Sequence, residues 1–102
     1  MSATTYSNAP QERLLKLVFI LAGHEQHGLA PIEIAKALGA PRSTVLRDLN
    51  VMRNERCAEQ IPETDRWRLG PRIVQVAIAF SNGISRARSK LDETEQRYTR
   101  QP

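Results

Sequence analysis

The polar side chains best suited to recognising another molecule recur at helical spacing in residues 42–54. Val45, Leu49 and Met52 follow the i, i+4, i+7 spacing of one buried helix face. The opposite face contains no large apolar residue and consists of Ser43, Arg47, Asn50 and Asn54. Arginine pairs with guanine edges and asparagine with adenine edges, so this face predicts contact with bases in the DNA major groove.

Arg42 and Thr44 flank this face at the start of the helix, where backbone N–H groups also attract phosphate. The alternative interpretation is an ordinary solvated helix face, and the helix considered alone does not separate the two. The segment that precedes the helix therefore decides between them.

A short helix and a tight turn come before the polar face. Pro31 opens an amphipathic helix, and Gly39 closes it at the position where helix C-termini favour glycine. Only Ala40 separates that glycine from Pro41, which opens the third helix. This layout is typical of a helix-turn-helix, and it favours DNA recognition over a solvated surface.

Residues 57–69 are predicted to form two strands around a turn at 62–65. In the second strand, Trp67 lies on the face that would anchor the hairpin to the helical core. Arg66 and Arg68 lie on the other face and are expected to point outward. Such a wing beside a recognition helix can contact backbone phosphates or the minor groove.

The helix opened by Pro71 carries apolar residues at alternating spacings of four and three. These are Ile73, Ala77, Phe80, Ile84, Ala87 and Leu91. The heptad pattern, although interrupted by Ser81-Asn82-Gly83, is typical of a helix that packs along a partner helix. A chain of 102 residues offers little core to bury so long a stripe, so we expect self-association rather than intramolecular packing. Val74 and Ile78 form a second stripe that would dock on the chain's own core.

The predicted fold class is mainly α with a small β-hairpin, a winged helix-turn-helix followed by a long C-terminal helix. The predicted segments are a flexible N-terminus (1–8), the winged domain (9–70), a linker and dimerisation helix (71–92) and a polar tail (93–102).

Fifteen Lys and Arg against eleven Asp and Glu give a net charge of +4, which favours polyanionic partners. The single cysteine, Cys57, rules out an internal disulfide framework and a cysteine-based zinc cluster. His24 and His27 lack a third ligand nearby, so we expect a solvated loop and no metal. No Gly-rich phosphate loop appears, and local context suggests no set of Ser, His and an acid, so we expect neither an enzyme nor a cofactor. Without a signal peptide or membrane span, a cytoplasmic location and no membrane partner are expected.

Three segments carry a family resemblance, namely 32–39, 41–45 and 62–72. Together with the flanking helices, they resemble the N-terminal DNA-binding domain of IclR-type transcriptional regulators over residues 10–90. The resemblance implies a winged helix that dimerises through its first and linker helices and binds operator DNA. By position it places DNA contacts on Arg42, Ser43, Thr44, Arg47 and, in the wing, Arg66 and Arg68.

Four departures from that family pattern stand out. Ala30 replaces the usual Ser or Thr helix cap, a loss of about 1 kcal/mol. Asp48 stands where the family normally has Leu, which puts a carboxylate at the edge of the core; an arginine is the expected partner, but the sequence does not identify which one. Arg56-Cys57-Ala58 replaces a Gly-aromatic-Val sequence, so Trp67 is expected to fill the volume of the missing aromatic. Finally, the sequence ends where the family continues into an effector-binding domain. If it is the whole protein, a regulator, bacterial or phage, without a ligand-sensing domain is expected; the alternative is a fragment of a longer chain.

The leading hypothesis is thus a transcription regulator that binds a specific double-stranded DNA site as a homodimer. One alternative is a DNA-binding accessory protein for packaging, transposition or recombination, recruiting an enzyme through its C-terminal helix or tail. Another is a winged helix used for protein–protein contact.

Overall fold

The computed structural model describes residues 7–101, which form four helices and a two-stranded antiparallel sheet. The elements are α1 (Ala9–Leu21), α2 (Pro31–Leu38), α3 (Arg42–Asn54), β1 (Ala58–Gln60), β2 (Trp67–Leu69) and α4 (Pro71–Thr99). This architecture confirms the predicted fold class. Residues 1–6 of the predicted flexible N-terminus lie outside the described residues.

Local signals set the helix boundaries. The Asn8 side chain accepts a hydrogen bond from the Gln11 N–H at 3.1 Å and thereby caps α1. At the end of α2, Gly39 adopts a left-handed backbone with φ of 68°, and its N–H donates to the Ala35 carbonyl at 2.9 Å. That geometry lets the chain turn sharply into α3, which begins after Pro41.

The core lies between the three N-terminal helices and the hairpin. Its buried members are Leu17, Leu21, Ile34, Val45, Leu49, Met52, Ala58 and Trp67. Trp67 is 2% exposed and pairs with Gln60 across the hairpin, which confirms its prediction as the anchor of the wing. On its other side it exchanges two backbone hydrogen bonds of 2.8 Å with Leu29, which ties the α1–α2 loop to the wing.

Arg56 and Gly70 pack backbone to backbone at the base of the wing. Arg56 has a φ of 62°, in the left-handed region that glycine adopts without strain. This backbone explains the preference for glycine at this position in the family pattern. A Cβ added to Gly70 would clash with the Arg56 carbonyl oxygen, so only glycine permits this approach. The base of the wing therefore depends on one strained arginine and one obligatory glycine.

Helix α4 runs to Thr99, and none of its residues is buried. The predicted polar tail over 93–102 is thus corrected, because the charged residues after 92 continue the helix. Glu93 precedes Arg97 by four residues, and an acidic residue followed by a basic one at this spacing stabilises a solvent-exposed helix. The sequence pattern predicts that Val74 and Ile78 dock on the domain's own core. This prediction is wrong, because the two side chains are 43% and 53% exposed. No helix within residues 7–101 is long and apolar enough to cross a membrane.

Candidate nucleic-acid interface

The rotation of α3 about its axis is set by Val45 and Leu49, both 0% exposed. With that face against the core, Ser43, Arg47 and Asn54 are exposed on the other side of the helix. Arg42 is also exposed at the first turn, whereas Thr44 is half-buried. Three of the four side chains of the predicted recognition face are therefore accessible.

Asn50 differs from the other predicted contact residues because its side chain is half-buried and already hydrogen-bonded. Its Nδ2 donates to the Leu46 carbonyl at 2.7 Å, and its Oδ1 accepts a hydrogen bond from Arg53 Nη2. Arg53 also lies over the Trp67 ring, 5.2 Å from its centroid, a cation–π geometry. Asn50 thus belongs to a network that joins α3 to the wing, and it can reach a base only by exchanging these bonds.

Arg66 does not project from the wing. Its Nη2 lies 2.9 Å from Glu33 Oε1 and 3.2 Å from the Gly28 carbonyl oxygen, and its Nε donates to the His27 carbonyl at 3.0 Å. The guanidinium group therefore connects the wing to the α1–α2 loop and to the first turn of α2.

Arg68 is held in a similar way. Its Nε donates to Glu59 Oε1 at 2.7 Å, and its Nη1 donates to the Glu25 carbonyl at 3.2 Å. The prediction that Arg66 and Arg68 point outward is thus wrong. Strand alternation assigns each side chain to a face, but a long arginine can fold back toward acceptors that are distant in sequence.

The tip of the wing carries Glu63 and Asp65, and both are exposed. Carboxylates there would face the phosphates of a duplex that the wing approached, which is unfavourable. On the α3 side, Arg42 and Arg47 have no ion pair with any residue in the described range 7–101. Of these two elements, α3 rather than the wing therefore offers an anionic partner positive charge that is not already paired within residues 7–101.

Asp48 obtains a partner from the first helix, a residue that sequence spacing did not identify. The Arg13 side chain bonds both carboxylate oxygens of Asp48, with 24% of the arginine and 8% of the aspartate side chain exposed. The pKa of Arg13 is raised above its ordinary value, mainly by the hydrogen bond to Asp48. The partners lie 35 residues apart, beyond the reach of any local pattern.

Glu33 compensates in part for the missing cap at Ala30. Its Oε1 accepts the Ala30 N–H at 2.9 Å, which supplies the glutamate half of a capping box. This backbone hydrogen bond is the main reason that the pKa of Glu33 is lowered, and the neighbouring Arg66 lowers it further. Glu33 thus serves both the start of α2 and the attachment of the wing.

Comparison with known proteins identifies the domain. Residues 12–62 match the model of the IclR helix-turn-helix domain. The chain is 39% identical over 54 residues to the HTH-type transcriptional regulator TtgV of Pseudomonas putida. That match covers 53% of the chain and 21% of TtgV, so the chain spans about a fifth of the length of this curated relative.

Two solved structures share the fold. An IclR transcriptional regulator from Alicyclobacillus acidocaldarius superposes with a TM-score of 0.64 at 25% identity, over 70% of this chain and 28% of that one. The Zα domain of cyprinid herpesvirus 3 ORF112, solved for its binding to Z-DNA, superposes with a TM-score of 0.51 at 31% identity. The second match covers 64% of this chain and 98% of the Zα domain. The family match takes in α2, α3 and most of α1. The chain therefore belongs to the IclR helix-turn-helix domain family, a family of DNA-binding domains of transcriptional regulators.

Proposed function

We propose that this chain regulates transcription by binding a specific double-stranded DNA site as a homodimer. The observation that carries the proposal is the exposed face of α3, on which Ser43 and Arg47 lie opposite the buried Val45 and Leu49. A helix in a helix-turn-helix reads the major groove with such a face. Because Arg47 is exposed and forms no ion pair within residues 7–101, no internal salt bridge must break before it binds a base.

Each residue of the interface has a proposed role. Arg47 donates to the O6 and N7 acceptors of guanine, and Ser43 contacts a neighbouring base edge. Arg42 and Thr44, at the first turn of α3, bind phosphate together with the free backbone N–H groups there. Asn54 is the last residue of α3 and contacts the outer end of the DNA site.

Arg66 and Arg68 play a secondary part in this proposal. Both are held by carboxylates and by carbonyls of the α1–α2 loop, so contact with phosphate requires an exchange of partners. Their first role is to fix the wing relative to α2. Arg66 or Arg68 contacts the DNA backbone directly only when a phosphate takes the place of its carboxylate partner, Glu33 or Glu59.

A homodimer is supported by apolar side chains that the single chain leaves exposed. On α1, Leu15 and Phe19 are 64% and 77% exposed, four residues apart on one face. On α4, Phe80 and Leu91 are 74% and 68% exposed. Exposed apolar patches of this kind are typical of interaction surfaces, and we propose that a second copy covers them. A two-fold dimer presents its recognition helices to successive major grooves, about 34–36 Å apart.

The domain boundaries follow from this assignment. Residues 9–70 form the DNA-binding unit, and α4 is the linker and dimerisation helix, with Ile73, Ala77, Phe80, Ile84, Ala87 and Leu91 facing the second copy.

Selection of bound duplexes from a randomised DNA pool, followed by sequencing, tests the function. The proposal predicts a two-fold symmetric consensus whose half-sites lie one helical turn apart or a multiple of it. Weak binding that depends steeply on salt and enriches no sequence would reduce the interaction to nonspecific charge attraction and contradict the proposal. Arg86→Ala provides a control pool, because it removes one positive charge from α4, far in sequence from α3.

Left-handed DNA is the second candidate ligand, because the fold also matches a Zα domain over nearly all of that domain's length. An alternating CG duplex distinguishes the two candidates by circular dichroism. Conversion of that duplex to the left-handed form by the protein would favour the second candidate. The proposed function predicts no conversion and preferential binding to right-handed DNA of the selected sequence.

A further inference from the structure

The apolar stripe of α4 does not stop at Leu91. Because the helix continues to Thr99, the same heptad register includes Thr94 and Tyr98. Leu91 is 68% exposed and Tyr98 is 81% exposed, so the single chain does not cover this end of the stripe. The apolar stripe is therefore available for contact with another helix over almost the whole length of α4.

We infer that a second copy of this chain packs along α4 in parallel and in register, with Lys90 of each copy beside Glu95 of the other. This inference rests on the proposed homodimer and adds its orientation and register. The surface consists of the heptad positions from Ile73 to Tyr98 together with the residues that flank them.

The flanking charges select the parallel arrangement. Lys90 immediately precedes Leu91, and Glu95 immediately follows Thr94, so both border the apolar stripe. In a parallel pair of helices, the residue before one core position faces the residue five further along on the partner. Lys90 therefore meets Glu95 of the second copy, and the symmetry generates the same attraction twice. The next flanking pair toward the N-terminus, Gly83 with Arg88, involves no like charges.

Antiparallel arrangements lack this advantage. If Leu91 lay beside Thr94 of the second copy, Arg88 would meet Glu95, but Lys90 would meet Arg97 and the attraction would be cancelled. A shift by one heptad places Arg88 against Arg88 and Lys90 against Lys90. A further shift pairs the charged side chains only with uncharged ones. Among these registers, the parallel one alone gains charge pairs without repulsion.

The position of the DNA-binding domains agrees with this orientation. Helix α4 has 29 residues, which corresponds to about 43 Å at 1.5 Å per residue. A parallel pair keeps both α3 helices at the same end, where one duplex can reach them. An antiparallel pair would place the two domains at opposite ends of α4.

A symmetric disulfide tests the orientation directly. In a Cys57→Ala background, Leu91→Cys should form a covalent dimer on mild oxidation of the full-length chain, because position 91 faces itself only in the parallel register. Ser85→Cys, on the outer face of α4, is the matched control and should remain unlinked. A dimer in which Leu91→Cys does not crosslink would overturn the parallel register.

Charge reversal provides a second test, with dimer dissociation measured by sedimentation equilibrium at low salt. Lys90→Glu and Glu95→Lys should each weaken the dimer roughly three- to tenfold, and the double variant should recover the original affinity. Arg86→Glu, on the outer face, is the control. An unchanged or tighter Lys90→Glu dimer would overturn the inference, and leave the homodimer itself intact. A chain that stays monomeric, with or without selected DNA, would overturn the homodimer as well.

Discussion

Arg13 on α1 holds Asp48 on α3 through two hydrogen bonds, from Nε to Oδ2 at 2.5 Å and from Nη2 to Oδ1 at 3.2 Å. Asp48 is 6% exposed and lies on the same helix as the recognition face. The bidentate geometry restrains both the position of α3 and its rotation relative to α1. An ion pair therefore contributes, with the apolar core, to the orientation of Arg47 toward a ligand.

Removal of Arg13 should destabilise the protein because it leaves the Asp48 carboxylate without its partner. For Arg13→Met we expect a lower free energy of unfolding, with a smaller loss than for a fully buried pair because 24% of the arginine side chain is exposed. The double variant Arg13→Met/Asp48→Leu should recover most of this loss, since an apolar pair of similar volume replaces the ions. Urea unfolding of the four proteins in this cycle measures the coupling. Additive losses would contradict the pairing.

A serine at position 30 should stabilise the start of α2. Ala30 has the extended backbone of a cap residue, with φ of −74° and ψ of 148°, but no side-chain acceptor. Ala30→Ser completes the capping box with Glu33 and should raise the free energy of unfolding by about 0.5–1 kcal/mol. The control Ala37→Ser places the same side chain inside the helix and should slightly lower stability in the same urea titration. Equal effects of the two substitutions would argue against a capping role.

Acid should weaken the attachment at Glu33. The pKa of Glu33 is lowered from 4.5, first by the Ala30 N–H and then by Arg66. A carboxyl group with a lowered pKa stabilises the fold above its unfolded pKa, and this contribution is lost as the pH falls through its folded pKa. The stability of the wild type should therefore decline more below about pH 4.5 than that of Glu33→Gln. Thermal unfolding across this range measures the difference, with Glu93→Gln as a charge-matched control. Parallel pH profiles for wild type and Glu33→Gln would contradict the assignment.

Loss of Arg66 should loosen the wing as well as remove a positive charge. Arg66→Ala eliminates the bonds to Glu33 and to the carbonyls of His27 and Gly28. Hydrogen exchange at the Leu29 and Trp67 amides, which join the loop to the wing, should therefore become faster in the absence of DNA. Arg42→Ala removes the same charge at an exposed site and should leave these amides unchanged. Unaltered exchange at these amides in Arg66→Ala would contradict the role of Arg66 in holding the wing and would favour an arginine that points outward.

Local spacing was sufficient to predict α1, the helix-turn-helix and the burial of Trp67. Each of these depends on residues within one or two helical turns, or within one strand, where periodicity is visible. Side-chain pairs such as Arg66 with Glu33 and Arg13 with Asp48 were not predictable, because chain folding brings them together from distant positions. The end of α4 was missed for another reason. A charged segment such as 93–99 is compatible with both a tail and a solvated helix, and its apolar content does not distinguish them.

The most direct test of sequence reading by α3 compares wild type and Arg47→Ala on the selected duplex, on duplexes with single base-pair changes, and on unrelated DNA, all at one salt concentration. We expect Arg47→Ala to weaken binding to the selected site by about 5- to 150-fold and to lose discrimination at one position of each half-site. Binding to unrelated DNA should change little, as should all binding by Arg86→Ala. If Arg47→Ala bound the selected site with wild-type affinity and selectivity, α3 would not be the surface that reads the sequence.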